Sequence, residues 1–201
     1  MDGVADGRTR RRDATRQKLF ESAIILIAER GFDATTVDEI AERAGVAKGT
    51  VYYNFASKNA LFEELLRYGV GLLTDEFRSA IDGLEPREAI AALVRAQLDY
   101  IQRYRAFAQL LLAEMWRTNR EWQQTLTMLR GESVSVIAEV LTAGVASGDF
   151  AADLDVRLSA LALFGVGLVV ALDWLLFEPE RTVDDVAAAV LAIVRSRAIA
   201  G

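Results

Sequence analysis

Apolar residues recur at intervals of three and four along almost the whole chain, whereas strand-like alternation with a period of two is absent. This pattern predicts an all-α protein, and glycines or a proline mark most of the places where one helix should give way to the next. We find no internal repeat and no low-complexity segment. Nine helices are expected, at residues 13–30, 36–44, 47–54, 58–81, 86–104, 105–117, 122–144, 155–177 and 183–197.

Residues 36–58 form the most distinctive part of this pattern, two short helices separated by a glycine. Thr36 has the side chain of an N-cap, and Glu39 three residues later completes the spacing of a capping box. Gly45 is expected to end the first helix, because glycine adopts the left-handed conformation without a Cβ clash. The second helix turns Val51 inward and an aromatic, hydroxylated face outward. This pattern is typical of a DNA-binding helix-turn-helix, although an ordinary helical hairpin shares it.

The wider sequence of residues 31–66 favours the DNA-binding alternative. This segment strongly resembles the DNA-binding domain of TetR-family transcriptional repressors, and it runs GFDATTVDEIAERAGVAKGTVYYNFASKNALFEELL. The matching pieces are the Thr-Thr pair before the second helix, Ala-Gly-Val at the turn, Gly-Thr-Val-Tyr-Tyr in the recognition helix and Phe-Ala-Ser-Lys opening the fourth helix. Asn54 departs from the family, whose members usually carry histidine there, but asparagine can still donate to a phosphate.

The resemblance implies a homodimer that binds an inverted-repeat operator in double-stranded DNA, with the second short helix as the recognition helix. The expected contacts divide by type. Lys48, Thr50 and Tyr52 are expected to contact base edges, and the small residues Ala47 and Gly49 to allow the helix to approach closely. Those to phosphates involve Thr36, Tyr53, Asn54 and Lys58.

The charge distribution supports a division into domains. The net charge is −6, but residues 1–58 carry ten basic and nine acidic side chains, against thirteen and twenty in the remainder. We therefore expect a disordered basic arm at residues 1–12, a helix-turn-helix domain at 13–58 and an acidic helical domain for ligand binding and dimerisation at 59–201. The arm is either a solvated tail or a segment that reaches phosphates or the minor groove.

The chain contains no cysteine and no histidine. Their absence excludes disulfides, thiol nucleophiles, Ser-His-Asp catalysis and the usual zinc sites, so no catalytic residue, metal or cofactor is expected. An enzyme would need a carboxylate pair or a lysine, and no lysine follows Lys58. A structural DNA-bending protein is the other alternative, and the large acidic, apolar remainder of the chain argues against it.

A cytoplasmic location is expected, because the polar, arginine-rich beginning of the chain does not resemble a signal peptide. Residues 158–172 form an uncharged run, but a helix that spans a bilayer needs roughly 20 apolar residues. We therefore interpret the run as a helix buried on nearly all sides rather than as a membrane span.

The middle of the chain contains more aromatic and methionine side chains than a minimal helical bundle needs, which predicts a pocket for an apolar or amphipathic small molecule. The candidate lining residues are Tyr100, Tyr104, Phe107, Leu111, Met115, Trp116, Trp122, Met128 and Phe164. The polar candidates are Gln97, Gln109, Glu114 and Asn119. The alternative is that these side chains are simply core.

The last two predicted helices are candidates for the dimer interface, because small residues let helices approach closely. These residues are Ala160, Ala162, Gly165, Gly167, Ala171 and the three alanines at 187–189. Two such helices from each subunit would form the four-helix bundle through which TetR-family proteins dimerise; otherwise they belong to the core of one chain. The fourth helix is expected to link the domains, with the recognition helix anchored to it through Phe55 against Leu61 and Phe62.

Overall fold

The computed structural model describes the backbone of residues 3–115 and 123–198 and the side chains of residues 12–113, 127 and 131–193. Within these residues the chain is α-helical and contains no strand, which confirms the all-α prediction. The helices are α1 (Gly3–Arg30), α2 (Val37–Ala44), α3 (Lys48–Asn54), α4 (Lys58–Ile81), α5 (Pro86–Arg103), α6 (Arg105–Met115), α7 (Gln123–Ser147), α8 (Val156–Phe177) and α9 (Val183–Ala198).

The expectation of a disordered arm at residues 1–12 is wrong for the described part of that segment, because α1 begins at Gly3 rather than near Asp13. The segment contains no proline, and its alanine and arginine residues favour a helix, so the helix continues toward the N-terminus. The side chains of residues 1–11 lie outside the described residues. Their contact with DNA therefore stays a prediction.

The first three helices enclose a small apolar core. α1 packs on α2, and α2 packs on α3. The core side chains include Leu19, Ile27, Ile40 and Val51, each less than a tenth exposed. Because α2 and α3 are too short to be stable alone, this packing is what holds them.

The end of the recognition helix has an aromatic contact with α1. The ring of Phe55, the C-cap of α3, lies 5.5 Å from that of Phe20, between ring centroids. Phe62 of α4 lies against Phe32, at 4.9 Å. The expected packing of Phe55 against Leu61 and Phe62 stays a prediction.

Two helices connect this N-terminal core to the remaining helices. α4 begins after the N-cap Ser57, whose hydroxyl accepts the N–H of Ala60, and runs without a break to Ile81. It packs along α5 and α7, while α6 packs against α1. The domain boundary expected at residue 58 falls at the first residue of α4 and stays a prediction.

α5 occupies the centre of the C-terminal helices and packs against α4, α7, α8 and α9. α8 is long and apolar enough by composition to cross a membrane. Phe164, Leu168 and Trp174 on one side of it are nevertheless buried within the chain. The expectation that this helix is buried on nearly all sides is wrong, because Leu158, Val169 and Leu176 on the opposite side are exposed.

Candidate DNA-binding surface and ligand cavity

The geometry of α2 is fixed by the two end signals that the sequence predicts. The Thr36 hydroxyl oxygen accepts the backbone N–H of Glu39 at 3.2 Å, and the Glu39 carboxylate accepts the N–H of Thr36 at 2.9 Å. The Thr36 N–H and hydroxyl both donate to this carboxylate, and these two bonds are the main reason why the pKa of Glu39 lies below its ordinary value. At the other end Gly45 adopts φ 68°, and the N–H of Val46 bonds to the Ala41 carbonyl at 3.0 Å. The turn into α3 is therefore tightly specified.

α3 presents a polar and aromatic face to solvent. Val51 is buried, whereas the side chains of Tyr52 and Tyr53 are 50% and 81% exposed. Space is open beside Gly49, where an added Cβ would meet nothing within 4 Å. Of the nine candidate DNA contacts, six are exposed and three are half-buried, namely Thr50, Asn54 and Lys58. The structure therefore brings the candidates together at one end of the molecule.

Lys48 has an anionic neighbour that the sequence analysis missed. Its Nζ lies 2.7 Å from Oδ1 of Asp38, which belongs to the first turn of α2. The hydrogen bond and charge of Asp38 raise the pKa of Lys48. The two residues are ten positions apart on different helices, so no local spacing could have indicated the pair.

Lys58 holds the loop between α1 and α2. Its Nζ donates to the carbonyls of Phe32 and Thr35, both at 2.9 Å, and lies 4.3 Å from the centroid of the Phe32 ring. An ammonium group carries three N–H donors, so one remains for a phosphate. The DNA contact of Lys58 stays a prediction, and the structure adds a structural role to it.

Two other phosphate candidates also have partners within the chain. Both donors of Thr36, its N–H and its hydroxyl, bond to the Glu39 carboxylate. Asn54 donates from Nδ2 to the Thr50 carbonyl at 2.8 Å, while its buried Oδ1 has no partner. An amide nitrogen has a second N–H, so Asn54 retains a donor for a phosphate. Thr36 would have to break one of its bonds to Glu39 before it could donate to a phosphate.

Arg16 ties three helices together behind the DNA-binding surface. Its guanidinium forms an ion pair with Glu64 of α4 and lies 4.9 Å from the ring centroid of Phe55. Glu64 is 48 positions from Arg16 in the chain, so no local spacing indicates this pair. The aromatic and acidic partners of Arg16 become neighbours only through tertiary packing.

The C-terminal helices enclose a small apolar cavity between α4, α5, α6, α7 and α8. Its volume is about 30 Å³, roughly the share of one water molecule. It is lined by Val70, Leu73, Gln97, Tyr100, Ile101, Phe107, Ala108, Leu111, Ser133, Phe164 and Leu168. Four predicted lining residues and the polar candidate Gln97 thus meet at one cavity.

The other pocket candidates divide into two groups. Tyr104 is 38% exposed, with its ring 4.8 Å from that of Tyr100, and Gln109 is also exposed. Placing Gln109 in the pocket is therefore wrong, because its side of α6 faces solvent. The remaining candidates lie outside the described side chains: Met115, Trp116, Trp122, Met128, Glu114 and Asn119.

The polar groups that line the cavity are engaged with the chain itself. The Tyr100 hydroxyl donates to the carbonyl of Gly69 in α4 at 2.7 Å, and Gln97 Nε2 donates to the Phe164 carbonyl at 2.8 Å. Burial raises the pKa of Tyr100 far above its ordinary value, so the hydroxyl stays neutral. Ser133, which the sequence analysis missed, shares a 3.0 Å hydrogen bond with Thr74. The cavity therefore suits an apolar molecular skeleton.

Most of the small residues of α8 pack within the chain rather than lying at the expected dimer interface. Ala160, Gly167 and Ala171 are buried, and a Cβ built on Gly167 would collide with the side-chain amide of Gln97. The outward side of α8 and α9 instead carries large apolar residues. We call Leu158, Val166, Val169, Leu176, Phe177 and Ile193 the outer apolar face.

An exposed helix-turn-helix joined by continuous helices to an apolar cavity defines the class of ligand-responsive transcription regulators. The family model for bacterial regulatory proteins of the tetR family matches residues 19–65. The family model for the tetracyclin repressor-like C-terminal domain matches residues 83–197. The chain belongs to the TetR family, which confirms the resemblance seen in the sequence.

Individual relatives support this assignment. The chain is 34% identical to the HTH-type transcriptional repressor KstR2 of Rhodococcus jostii, over 89% of this chain and 88% of that protein. The structure of the ketosteroid transcriptional regulator KstR2 of Mycobacterium tuberculosis matches with a TM-score of 0.69 at 30% identity, covering 89% of this chain and 92% of that one. FadR of Bacillus subtilis, solved in complex with stearoyl-CoA, has the same fold, with a TM-score of 0.79 at 24% identity over 88% and 96% of the two chains.

Proposed function

We propose that the chain is a repressor that binds an inverted-repeat operator as a homodimer and leaves it when an apolar or amphipathic molecule fills the cavity. The observation that carries this proposal is the double role of α4. Its first residue, Lys58, holds the loop before α2. Further along the same helix, Val70 and Leu73 line the cavity. A displacement of the cavity wall can therefore move α4, the helix that contacts the DNA-binding domain.

The exposed face of α3 supports contacts with DNA of two kinds. Lys48, Thr50 and Tyr52 lie at the start and middle of the helix, where base edges in a major groove would be reached. Tyr53, Asn54 and the loop held by Lys58 lie beside them and suit phosphate contacts. The chain has no histidine to change charge near neutral pH, so ligand rather than pH is the proposed regulator.

The outer apolar face supports dimerisation through α8 and α9. Phe177 is 69% exposed and Ile193 66%, and four more large apolar side chains accompany them on these two helices. Large apolar side chains that are exposed in one chain are of the kind that an interface buries. Pairing this face with that of a second copy would build a four-helix bundle around a two-fold axis and place two α3 helices on one duplex.

The ligand class follows from the cavity and the relatives together. The lining is apolar apart from Gln97, Tyr100 and Ser133. Relatives include a ketosteroid transcriptional regulator and a regulator solved with stearoyl-CoA. We infer a ligand with a fatty acyl or steroid-like skeleton. Because pockets for such molecules measure roughly 300–1,000 Å³, the helices around the present cavity must separate on binding.

We also propose that the chain has no catalytic role and acts in the cytoplasm, where its operator DNA is. Catalysis would need an activated nucleophile or a pair of acid–base groups, and the described side chains that line the cavity include no carboxylate or lysine. Its polar groups are held in hydrogen bonds to the chain. A binding site without reactive groups fits a sensor.

Selection of DNA ligands from a random duplex pool tests this function. The purified full chain should enrich a sequence with two inverted half-sites, because two α3 helices related by a two-fold axis contact them. Light scattering of the complex should give two chains per duplex, or a multiple of two. Enrichment of a single, asymmetric half-site by one chain would contradict the proposal.

A further inference from the structure

The wall of the cavity touches α4 at a residue that has no side chain. Gly69 is buried on α4, and the ring of Phe107 from α6 lies directly against it. A Cβ built on Gly69 would lie 2.6 Å from both Cε atoms of that ring and closer still to Cζ. Movement of the ring toward α4 therefore meets helix backbone rather than a side chain that can change rotamer.

A second cavity residue contacts the same point. The hydroxyl of Tyr100 donates to the Gly69 carbonyl at 2.7 Å, and this hydroxyl is buried. Tyr100 belongs to α5 and Phe107 to α6, and both line the cavity. Two walls of the cavity thus converge on one residue of α4.

The residue before Gly69 connects α4 to the recognition helix. The ring of Tyr68 lies 5.2 Å from that of Phe20 in α1. Phe20 in turn lies 5.5 Å from Phe55, the C-cap of α3. Three aromatic rings in contact therefore lead from α4, beside Gly69, to the end of α3.

We propose that Gly69 is the positioning residue through which filling of the cavity moves the recognition helix. A ligand that enlarges the cavity presses Phe107 and Tyr100 against Gly69, α4 shifts, and Tyr68 transmits the shift through Phe20 to Phe55. This proposal rests on the proposed function and adds to it a defined point of contact. Glycine is required because the ring occupies the volume that any Cβ would take.

Gly69→Ala should therefore mimic the ligand-bound state in the absence of ligand. The new Cβ and the Phe107 ring cannot occupy the same volume, so α4 and the ring must move apart, as they would when a ligand presses the ring toward α4. Gly71→Ala is the matched control, because a Cβ on Gly71 of the same helix meets nothing within 4 Å. Phe107→Leu removes the distal ring atoms, so the double variant Gly69→Ala/Phe107→Leu should relieve the collision.

The experiment measures operator affinity by fluorescence anisotropy without ligand, on DNA selected by the wild-type chain, with the melting temperature of each variant. Gly69→Ala should bind about 5-fold or more weakly. Gly71→Ala should bind like wild type, and the double variant should regain affinity, which gives a non-additive cycle. Wild-type affinity in Gly69→Ala, or no recovery in the double variant, would overturn the proposal.

A Gly69→Ala variant that does not fold and a wild-type chain that selects no operator have different consequences. If Gly69→Ala does not fold, Tyr100→Phe replaces it, because that change removes one hydroxyl while the Gly69 carbonyl keeps its bond within α4. Weaker operator binding by Tyr100→Phe supports the proposal, and unchanged binding overturns it. A wild-type chain that selects no operator contradicts the proposed function itself, before any variant is compared.

Discussion

The ammonium of Lys48 lies 2.7 Å from the carboxylate of Asp38, so a cation at the start of the recognition helix is held by the helix before it. Both side chains are exposed, and ion pairs of this kind contribute little to stability. Their effect is on orientation, because Asp38 limits where the Lys48 ammonium can reach. A lysine that is restrained in this way can favour one base edge over the nearby phosphates.

Asp38→Asn should therefore reduce discrimination rather than affinity. Once Lys48 is released it can bind a phosphate, so non-specific binding should tighten, and the slope of log affinity against log salt should steepen by up to about one. Lys48→Ala should change which base is preferred at one position. Glu42→Gln, which removes a charge from an exposed position of α2, is the control. An equal effect of Glu42→Gln would mean that net charge alone is responsible.

Lys58→Met should destabilise the fold as well as weaken DNA binding. The substitution leaves the carbonyls of Phe32 and Thr35 without their shared donor, and the loss of such bonds costs about 1–3 kcal/mol. If the third N–H contacts a phosphate, the salt slope should also fall by about one on every DNA sequence. Lys18→Met, at an exposed position of α1, is the control for urea unfolding. Unchanged stability would show that the two carbonyl bonds contribute nothing.

Glu39→Gln should lower stability at neutral pH, and the difference from wild type should vanish in acid. The pKa of Glu39 in the folded chain lies below its ordinary value of 4.5, mainly through its bonds to Thr36. A carboxylate with a lowered pKa stabilises the fold above its unfolded pKa, and that contribution is lost as the pH falls through the folded value. Melting temperatures measured at pH 7 and at successively lower pH below 4.5 check this. A difference that persists at the lowest pH would exclude the charged capping box as the cause.

Val169→Glu should convert the dimer into a monomer and abolish tight operator binding. The side chain lies in the middle of the outer apolar face, where a buried carboxylate without a partner is costly. Leu84→Glu places the same charge at another exposed apolar position, between α4 and α5. Sedimentation of both variants distinguishes a specific interface from general solubility. A dimeric Val169→Glu variant would place the interface elsewhere.

The helices were predictable because their causes are local. The Thr36 cap, the left-handed Gly45 and the inward Val51 all depend on residues within a few positions of each other. Periodicity also predicted α8 as a helix, but the expectation that it is buried on nearly all sides was wrong, because one side of it is exposed. The start of α1 was missed because the charged first turns lack the apolar periodicity on which the prediction relied.

Contacts between helices were not predictable in the same way. Lys58 bonds to carbonyls 23 and 26 residues away, and Arg16 pairs with Glu64 across 48 positions. Tyr100 lines the cavity, whereas Tyr104 is the C-cap of α5, where the regular helical spacing that would place it beside Tyr100 ends. Such contacts depend on how helices pack, and a single sequence does not specify this.

We expect filling of the cavity to weaken operator binding, and a titration with ligand measures this effect. Operator affinity is measured by anisotropy at increasing concentrations of stearoyl-CoA and, separately, of a ketosteroid, while calorimetry on the DNA-free chain measures binding of each compound. Leu168→Trp, which fills the cavity with a larger side chain, should bind neither compound and should already bind the operator weakly in their absence. A compound that binds the wild-type chain should weaken operator affinity by about 5–150-fold, the usual range of coupling between two sites. A compound that binds in the cavity and leaves operator affinity unchanged would contradict the account.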